Sequence, residues 1–566
     1  MKKYIFLAAS ALTLASCSSD DFLGEGQGNT PSAANTAIKF DGNAGKISRV
    51  TSNTGSAEEM LGKEFKIYGV KSGATSGSGY TPVFIDYLLW YDDANKNNTT
   101  TNKSGWEYVG DAGKHGEANL TSNQYIKFWD YASADYRFVA GAPSSAFTFT
   151  PGEDKTLVSA TIKGFGGHID ANPTGTTTGT ANTFNPIYVA DPKVVAQNDY
   201  KTAVQFNFVR QQSMVRVGIY ETISGYKIKD ITFYEQGENG LVKKENNHNI
   251  TLTSTTADYF VGGKDITGTI TYDWTSSTKP TYSLKYEETG LKKNKNWYGG
   301  ALDGVKAKTS TNQNISELYG TDLDMAETTG YFTVMTNPTI TNRNPILIKC
   351  DYTLESEDNS GETINVTGAT AAIPAAYSKW EVNTRYTYLF KISEETNGYT
   401  GSDDPSHVGL YPITFNAVVK DTELGTITTF TTPSITTKQD GSVDENSGIK
   451  YVVKKAITVK VTDSTNGTDL ELNETNNTVG KVAVYKLTKE RTEADLQLAN
   501  VSQTEFKDTN KQDVTLDTDK KSFTFTPDEE GYYAIQYLTT AEDTENNTPA
   551  AYTYKVVKVE TAPTTK

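Results

Sequence analysis

The feature that most constrains this chain is a period-two alternation of apolar and polar residues, repeated in short runs along its 566 residues. Phe65-Lys66-Ile67-Tyr68-Gly69-Val70, Val204-Gln205-Phe206-Asn207-Phe208, Val215-Arg216-Val217-Gly218-Ile219 and Lys227-Ile228-Lys229-Asp230-Ile231-Thr232-Phe233 all follow it. Each places its apolar side chains on one face of a pleated strand. Clusters of Gly, Asn, Asp and Thr separate the runs, as turns require. Sustained helical periodicity is nearly absent, and only residues 58–65 and 492–500 suit a couple of helical turns. Strands at this density predict an all-β chain of tandem antiparallel β-sandwiches. The length exceeds what one core serves, so several modules are expected.

Composition narrows the functions open to such a chain. A formal net charge of −16 argues against a nucleic-acid partner, whose phosphates would be repelled. Thirty-four Tyr, 22 Phe and 6 Trp are too many aromatics for a disordered chain and suit sheets. Four His and two Cys leave little material for zinc fingers, iron–sulfur clusters or a disulfide framework, and no cofactor is implied.

The N-terminus reads as an address. Lys2 and Lys3 precede an apolar run over residues 4–14, too short to span a membrane as a mature helix. The run closes with Leu14-Ala15-Ser16-Cys17, which resembles the bacterial lipobox. That resemblance implies lipidation of Cys17, including an N-linked acyl chain such as palmitate, and removal of residues 1–16. Three acyl chains exceed the two signals that stable anchoring needs. The competing reading is an ordinary export signal that happens to contain a cysteine. Ser18-Ser19-Asp20-Asp21 resembles the acidic signal that sends lipoproteins of Bacteroidota to the outer face of the outer membrane; the competing reading is the solvated start of a tether. Gly-, Ser- and Asn-rich residues 22–36 behave as flexible linker.

Interruptions of pattern divide the rest. Residues 394–409, with Ser402, Asp403, Asp404 and Pro405, break any periodicity, and a weaker break lies at Gln197-Asn198-Asp199-Tyr200. The expected organisation is a signal peptide over 1–16, lipidated Cys17 and tether over 17–36, and sandwiches over 37–198 and 199–396. A linker over 397–410 and a third sandwich over 411–566 complete it. No repeat at a fixed short period appears by eye. Ile346-Leu347-Ile348-Lys349-Cys350-Asp351-Tyr352 alternates so that Cys350 shares the apolar face, which predicts a buried, inert thiol. In the last module, Glu529-Glu530-Gly531-Tyr532-Tyr533-Ala534-Ile535 resembles the acidic-x-Gly-x-Tyr-x-Cys run of immunoglobulin-like folds, with Ile535 in place of the cysteine. That resemblance implies a tyrosine corner and a disulfide-free immunoglobulin-like sandwich.

A wider resemblance covers about residues 37–396. Tyr125-Ile126-Lys127-Phe128-Trp129-Asp130, followed by Tyr136-Arg137-Phe138-Val139-Ala140-Gly141-Ala142-Pro143, is similar to the N-terminal domain of the fimbrillin family of Bacteroidota. Residues 65–70 resemble its early strand, and residues 204–217 its entry into the second domain, although many members carry His where this chain has Arg210. Ile373-Pro374 with Trp380, Asn383, Tyr386, Tyr388 and Phe390 resembles the end of that domain. The resemblance implies two transthyretin-like sandwiches and a surface role as pilus subunit, pilus accessory protein or related adhesin. In polymerising fimbrillins a trypsin-like protease is thought to remove the first strand after an arginine, opening a groove for the next subunit. Ile38-Lys39-Phe40, the turn Asp41-Gly42-Asn43-Ala44-Gly45, and Ile47-Ser48-Arg49-Val50 resemble that region, which makes Arg49, with Val50 after it, the candidate processing site. The competing reading is an exposed strand arginine that is never cut. Residues 411–566 extend past the two-domain pattern, which favours a tip, accessory or stand-alone protein over a stalk subunit.

Reactive chemistry finds no support. His115, His168, His248 and His407 lie in Gly-, Asn- and Ser-rich surroundings without a Gly-x-Ser-x-Gly turn or zinc-site spacing. Asp92-Asp93 and Asp403-Asp404 lack a twelve-residue calcium loop ending in Glu, and Gly164-Phe165-Gly166-Gly167 lacks the strand–helix context of a phosphate loop. Carboxylate pairs for glycoside hydrolysis meet only in three dimensions, and spacing promotes none. No catalytic residue or metal ligand is nominated, and the chain is not expected to be an enzyme. Aromatics in polar loops, Trp297-Tyr298 and Trp90-Tyr91, are candidate glycan contacts, because a flat ring complements the C–H face of a pyranose. Packing over the end of a sandwich is the plainer account of both. Asp463-Ser464-Thr465 resembles a short bacterial O-glycosylation motif. The sequence therefore predicts a surface-exposed outer-membrane lipoprotein serving adhesion or fimbrial assembly, its partners other subunits by strand addition or host and microbial glycans and proteins. The alternative is a surface glycan-binding lipoprotein of a polysaccharide-uptake system.

Overall fold

The structure, a computed structural model, describes residues 37–43, 58, 61–76, 78–92, 100, 104–113, 120–152, 157–165, 187–221, 225–237, 240–243, 249–250, 259–260, 266–276, 279–286, 297–298, 300–301, 332–336, 345–378, 380–392, 399–400, 413–422, 426–439, 451–464, 467–545 and 549–562. The signal and tether residues 1–36, Cys17 among them, lie outside the described residues, as do Arg49, Val50 and all four histidines.

The described chain is all-β, with a few short helices. Its first ten strands are β1 (Phe40–Asn43), β2 (Glu64–Lys71), β3 (Thr81–Tyr91), β4 (Trp106–Glu107), β5 (Asp135–Ala142), β6 (Phe147–Pro151), β7 (Leu157–Phe165), β8 (Tyr188–Ala190), β9 (Lys193–Ala196) and β10 (Val204–Arg210). Eight of these form one sheet in the order β1-β10-β8-β5-β2-β3-β4, with β9 also on β5. A second sheet takes β6 and β7 together with Ile266–Asp273 and Thr281–Tyr286. Strand β5 sits centrally, between β2 on one side and β8 and β9 on the other. It is buried along nearly its whole length because both faces of the sheet are covered. One face packs Tyr68, Val70, Val139, Phe147, Ile162 and Ile270 against the second sheet. The other packs Phe40, Phe65, Phe84, Trp129, Tyr136 and Phe138 under the segment that carries Trp106 and Tyr108. Gly141 on β5 is required by this packing, since a Cβ there would overlap the Phe147 ring.

The expected division at 198 and 199 is crossed twice by hydrogen-bonded strands. Strand β10 lies inside the first sheet between β1 and β8, and the hairpin of Ile266–Asp273 and Thr281–Tyr286 pairs with β7. Alternation tells which face a residue takes and is silent on which strand lies next to it, so a change in loop composition does not mark a change of sheet.

The middle sheets run Tyr259–Phe260, Phe332–Thr336, Ser213–Glu221, Thr384–Ile392, Ile413–Thr422, Thr426–Thr431, with Gly300–Ala301 beside Ser213–Glu221. A separate five-stranded sheet runs Gly240–Lys243, Tyr226–Gly237, Ile346–Ser356, Thr363–Ile373, Tyr399–Thr400. Residues 413–431 thus complete the middle sheet, beyond the linker expected at 397–410. Cys350 is buried, and burial pushes its thiol well above its ordinary pKa, as the alternation predicts for an inert side chain. Its neighbour Asp351 is buried too, its carboxylate accepting from the Gly368 N–H at 2.7 Å.

A structural repeat links the first two modules. Trp129 precedes Tyr136-Arg137-Phe138, and the Asp130 N–H donates to the Tyr136 hydroxyl at 2.8 Å. Trp380 precedes Tyr386-Thr387-Tyr388, and the Glu381 N–H donates to the Tyr386 hydroxyl at 3.0 Å. Each Trp-acid pair turns into a central strand, and each tyrosine hydroxyl satisfies the amide exposed by that turn. The spacing differs by one residue, which hides the repeat from a fixed-period search.

The last module packs Ser434–Gln439, Ile457–Thr462, Ser522–Phe525 and Thr515–Leu516 against a five-stranded sheet built around Gly531–Thr540 and Ala551–Glu560. The tyrosine corner is present: the Tyr533 hydroxyl donates to the Glu529 carbonyl at 2.7 Å. The helical turns expected near 492–500 occur as Glu493–Leu496 and Ala499–Glu505, the first closed by a Thr492–Asp495 capping box. Of the turns expected over 58–65, Glu58 is helical and residues 61–63 form a turn, before β2 begins at Glu64.

Candidate functional site

Residues 37–43 form the first described segment and the edge of the eight-stranded sheet. Strand β1 runs parallel to β10, pairing Phe40 with Val204 and Asn43 with Asn207. On its other side Ala37 bridges Phe128, and the Ile38 N–H donates to the Lys127 carbonyl at 2.9 Å. The Val204 N–H donates to the Lys39 carbonyl at 2.8 Å, and the Tyr108 hydroxyl to the Ile38 carbonyl at 3.0 Å. Tyr108 also accepts from the Lys127 N–H at 3.2 Å, so one phenol ties the segment to its wall. Burial pushes that phenol well above its usual pKa, which keeps it a donor at all physiological pH.

Two side chains seat the segment, because alternation sends Ile38 and Phe40 inward together. Both are fully buried. Phe40 meets Phe84 at 5.1 Å, Phe138 at 5.4 Å, Tyr108 at 5.8 Å and Phe206 at 5.9 Å between ring centres. Burying both contributes on the order of 3–6 kcal/mol by apolar transfer. Asp41 follows with its carboxyl raised above the ordinary value, first by burial and then by the charge of Glu58. The arrangement is an aromatic groove filled by a short edge segment. Vacated, it would expose apolar surface together with the unpaired edge of β10.

At the rim, Tyr125 is 63% exposed and Phe128 44% exposed, while Lys127 lies over the Tyr87 ring at 5.8 Å. Trp129, quoted in the same motif, is core: it stacks on Tyr200 at 4.6 Å and meets Tyr136 edge-on at 4.8 Å. Trp90 is buried against Leu120, which removes it from the glycan candidates and bears out packing as its role. Trp297–Tyr298 forms a two-residue ladder with Asn249–Ile250, and the side chains of both lie outside the described residues. Among the described residues no three His, Cys, Asp or Glu side chains gather as metal ligands, and no helix is long and apolar enough to cross a membrane. The groove walls Phe84, Tyr108 and Phe206 escaped sequence reasoning, since three distant segments supply them.

No family model and no curated protein matches the chain. Among solved structures it is similar to a fimbrial protein from Bacteroides vulgatus, at 10% identity and a TM-score of 0.35 over 70% of this chain and 99% of that one. A candidate cell adhesion protein from Bacteroides uniformis is 12% identical, with a TM-score of 0.27 over 63% of this chain and 95% of the other. A candidate polysaccharide-binding protein from Bacteroides thetaiotaomicron is 10% identical, with a TM-score of 0.23 over 64% and 95%. Likeness at this level carries no argument about function, which is drawn below from the chain's own residues.

Proposed function

We propose that this chain is a fimbrillin-type surface lipoprotein, anchored to the outer membrane through Cys17, that acts as a fimbrial tip or accessory subunit or as an adhesin. The observation that carries this reading is the seating of residues 37–43. They supply two core side chains yet sit at a sheet edge, where a strand from another subunit can replace them by forming the same main-chain bonds. Arg49 follows the segment in sequence and is the candidate cleavage point, with Val50 the new N-terminus. Trypsin is expected to trim the purified chain to Val50, and the trimmed protein to form oligomers. A trimmed protein that stays monomeric and merely nicked sinks strand exchange. Cys17→Ala is expected to release the protein from the membrane fraction in the same preparation.

The second reading, capture of glycans for uptake, is favoured by Trp297–Tyr298, whose short ladder with Asn249–Ile250 stands apart from the larger sheets. Loss of binding to a glycan panel in Trp297→Ala would support it.

A further inference from the structure

Strand β5 carries a cation that no described carboxylate answers. Arg137 pairs in the ladder with Val70 of β2 and Val194 of β9. Its neighbours Tyr136 and Phe138 enter the core that holds Phe40, so alternation turns Arg137 to the opposite face, shared with the second sheet. There its guanidinium carbon lies 4.5 Å from the centre of the Tyr80 ring and 5.2 Å from that of Trp274. The Arg137 side chain makes no hydrogen bond or ion pair with any described residue. Its Nε is buried without a partner, while its terminal nitrogens are not among the buried atoms, so the charged edge of the plane meets solvent.

This is an unusual use of an arginine. Partial burial strips water from the charge, and the two rings return only about 0.5–2 kcal/mol. The rings also fix the guanidinium plane, so little side-chain entropy remains to be lost when a ligand binds. A planar, immobilised fork of unspent N–H donors matches a carboxylate, which it can hold through two parallel bonds. Trp274 stands half-buried beside it, on the turn between Ile266–Asp273 and Thr281–Tyr286; its ring stacks on Tyr272 at 6.3 Å, and the part of it left to solvent offers apolar surface next to the guanidinium. Lys279 is exposed on that turn, while Asp273 is engaged locally, accepting from the Thr275 N–H at 2.9 Å. A carboxylate next to a flat apolar surface describes a uronic acid: the anion for Arg137, the pyranose C–H face for Trp274.

We propose that Arg137 and Trp274 form a binding site for the hexuronate units of an acidic polysaccharide. The site lies on the opposite face of β5 from the β1 groove, and it stands whether or not the chain exchanges strands. The chain's net charge of −16 repels polyanions in general, so retention of one reports a local site.

The test is affinity electrophoresis and calorimetry of the full chain against polygalacturonate, with dextran as the neutral control and polyglutamate as the non-sugar polyanion. Polygalacturonate should bind and the two controls should not. Arg137→Met, which keeps an unbranched side chain between the rings, should weaken binding at least about tenfold, the loss of one charge-assisted pair. Trp274→Ala should weaken it as well, with the thermal transition of each variant showing that it is folded. Arg137→Lys provides a second measurement if the Met variant fails to fold, and it should bind less tightly than the parent because the planar fork is gone. Absence of polygalacturonate binding, undiminished binding by a folded Arg137→Met, or equal binding of polyglutamate would overturn the proposal, the last pointing to an acidic protein partner instead.

Discussion

Glu505 holds its charge inside the last module with no exposure at all. Burial alone would raise its carboxyl. The Thr488 N–H at 2.7 Å, the Thr488 hydroxyl at 2.8 Å and Arg491 Nε at 2.9 Å outweigh burial and hold it below the ordinary carboxylate range. A carboxyl lowered on folding contributes stability that is full above the unfolded pKa of about 4.3 and is lost as pH falls through the folded value. Urea unfolding of the last module should therefore show a loss of stability below about pH 4 that Glu505→Gln no longer shows. At pH 7 the same variant should cost about 3 kcal/mol, because Arg491 keeps a half-hidden charge without its partner. An unchanged midpoint at pH 7 would mean that water replaces the carboxylate without loss. Nothing in the sequence announces this pair: Arg491 and Glu505 are fourteen positions apart on either side of a helix start. Tyr533 is the opposite case, where a local spacing of acidic residue, glycine and tyrosine was enough to place a hydroxyl on the Glu529 carbonyl.

Single elements were legible where one face is apolar and the other polar. Strand β10 shows strict alternation and is found as a strand over Val204–Arg210 with inward Val204, Phe206 and Phe208. Its neighbours were not legible, because β1 and β8 reach it from more than a hundred residues and from about twenty residues away respectively, and pattern carries no address. The same limit hid the β1 groove, whose occupant could be read from the sequence while its walls could not. Seating of that occupant should respond to pH through Asp41. Its carboxyl is raised by burial and by Glu58, so the neutral form is favoured in the seated strand. Stability of this kind is complete below the unfolded pKa of about 3.9 and is lost as pH rises through the raised folded value. Asp41→Asn removes the titration and should hold residues 37–43 more firmly at neutral pH. Amide exchange of residues 38–43 should then be slower in the variant than in the parent at pH 7, with the difference closing near pH 4. Equal exchange at pH 7 would show that Asp41 is as well solvated in place as it is released.

At the scale of the whole molecule, the modules are tied by strands that leave one stretch of sequence and complete another. The first module needs Phe206 and Phe208 from β10 and Ile270 and Tyr272 from the hairpin of Ile266–Asp273 and Thr281–Tyr286. Those four side chains represent about 6–12 kcal/mol of apolar burial, against a net stability of about 5–15 kcal/mol for a domain. A fragment of residues 37–198 therefore should not fold, although the sequence pattern breaks at its end, over residues 197–200. The last module differs. Its core draws on residues 435–559 alone, and both its sheets close within that stretch. Its ties to the middle module, where the Tyr377 hydroxyl meets Thr540 Oγ1 at 3.2 Å and the turn Glu493–Leu496 lies against Thr363–Ile373, are small by comparison. A fragment of residues 433–566 is expected to unfold in one cooperative transition with dispersed amide resonances, while 37–198 gives neither. If 37–198 were to melt cooperatively, β10 and the distant hairpin would be additions to a core already sufficient without them. The coupling matters for function, because the hairpin that completes the first core also brings Trp274 to Arg137, and the strand that walls the β1 groove leads directly into the middle sheet at Ser213. A strand arriving from a neighbour at β10 would then be felt in the second module through the two residues of main chain, Gln211 and Gln212, that join the strands, which a freely hinged pair of sandwiches would not allow.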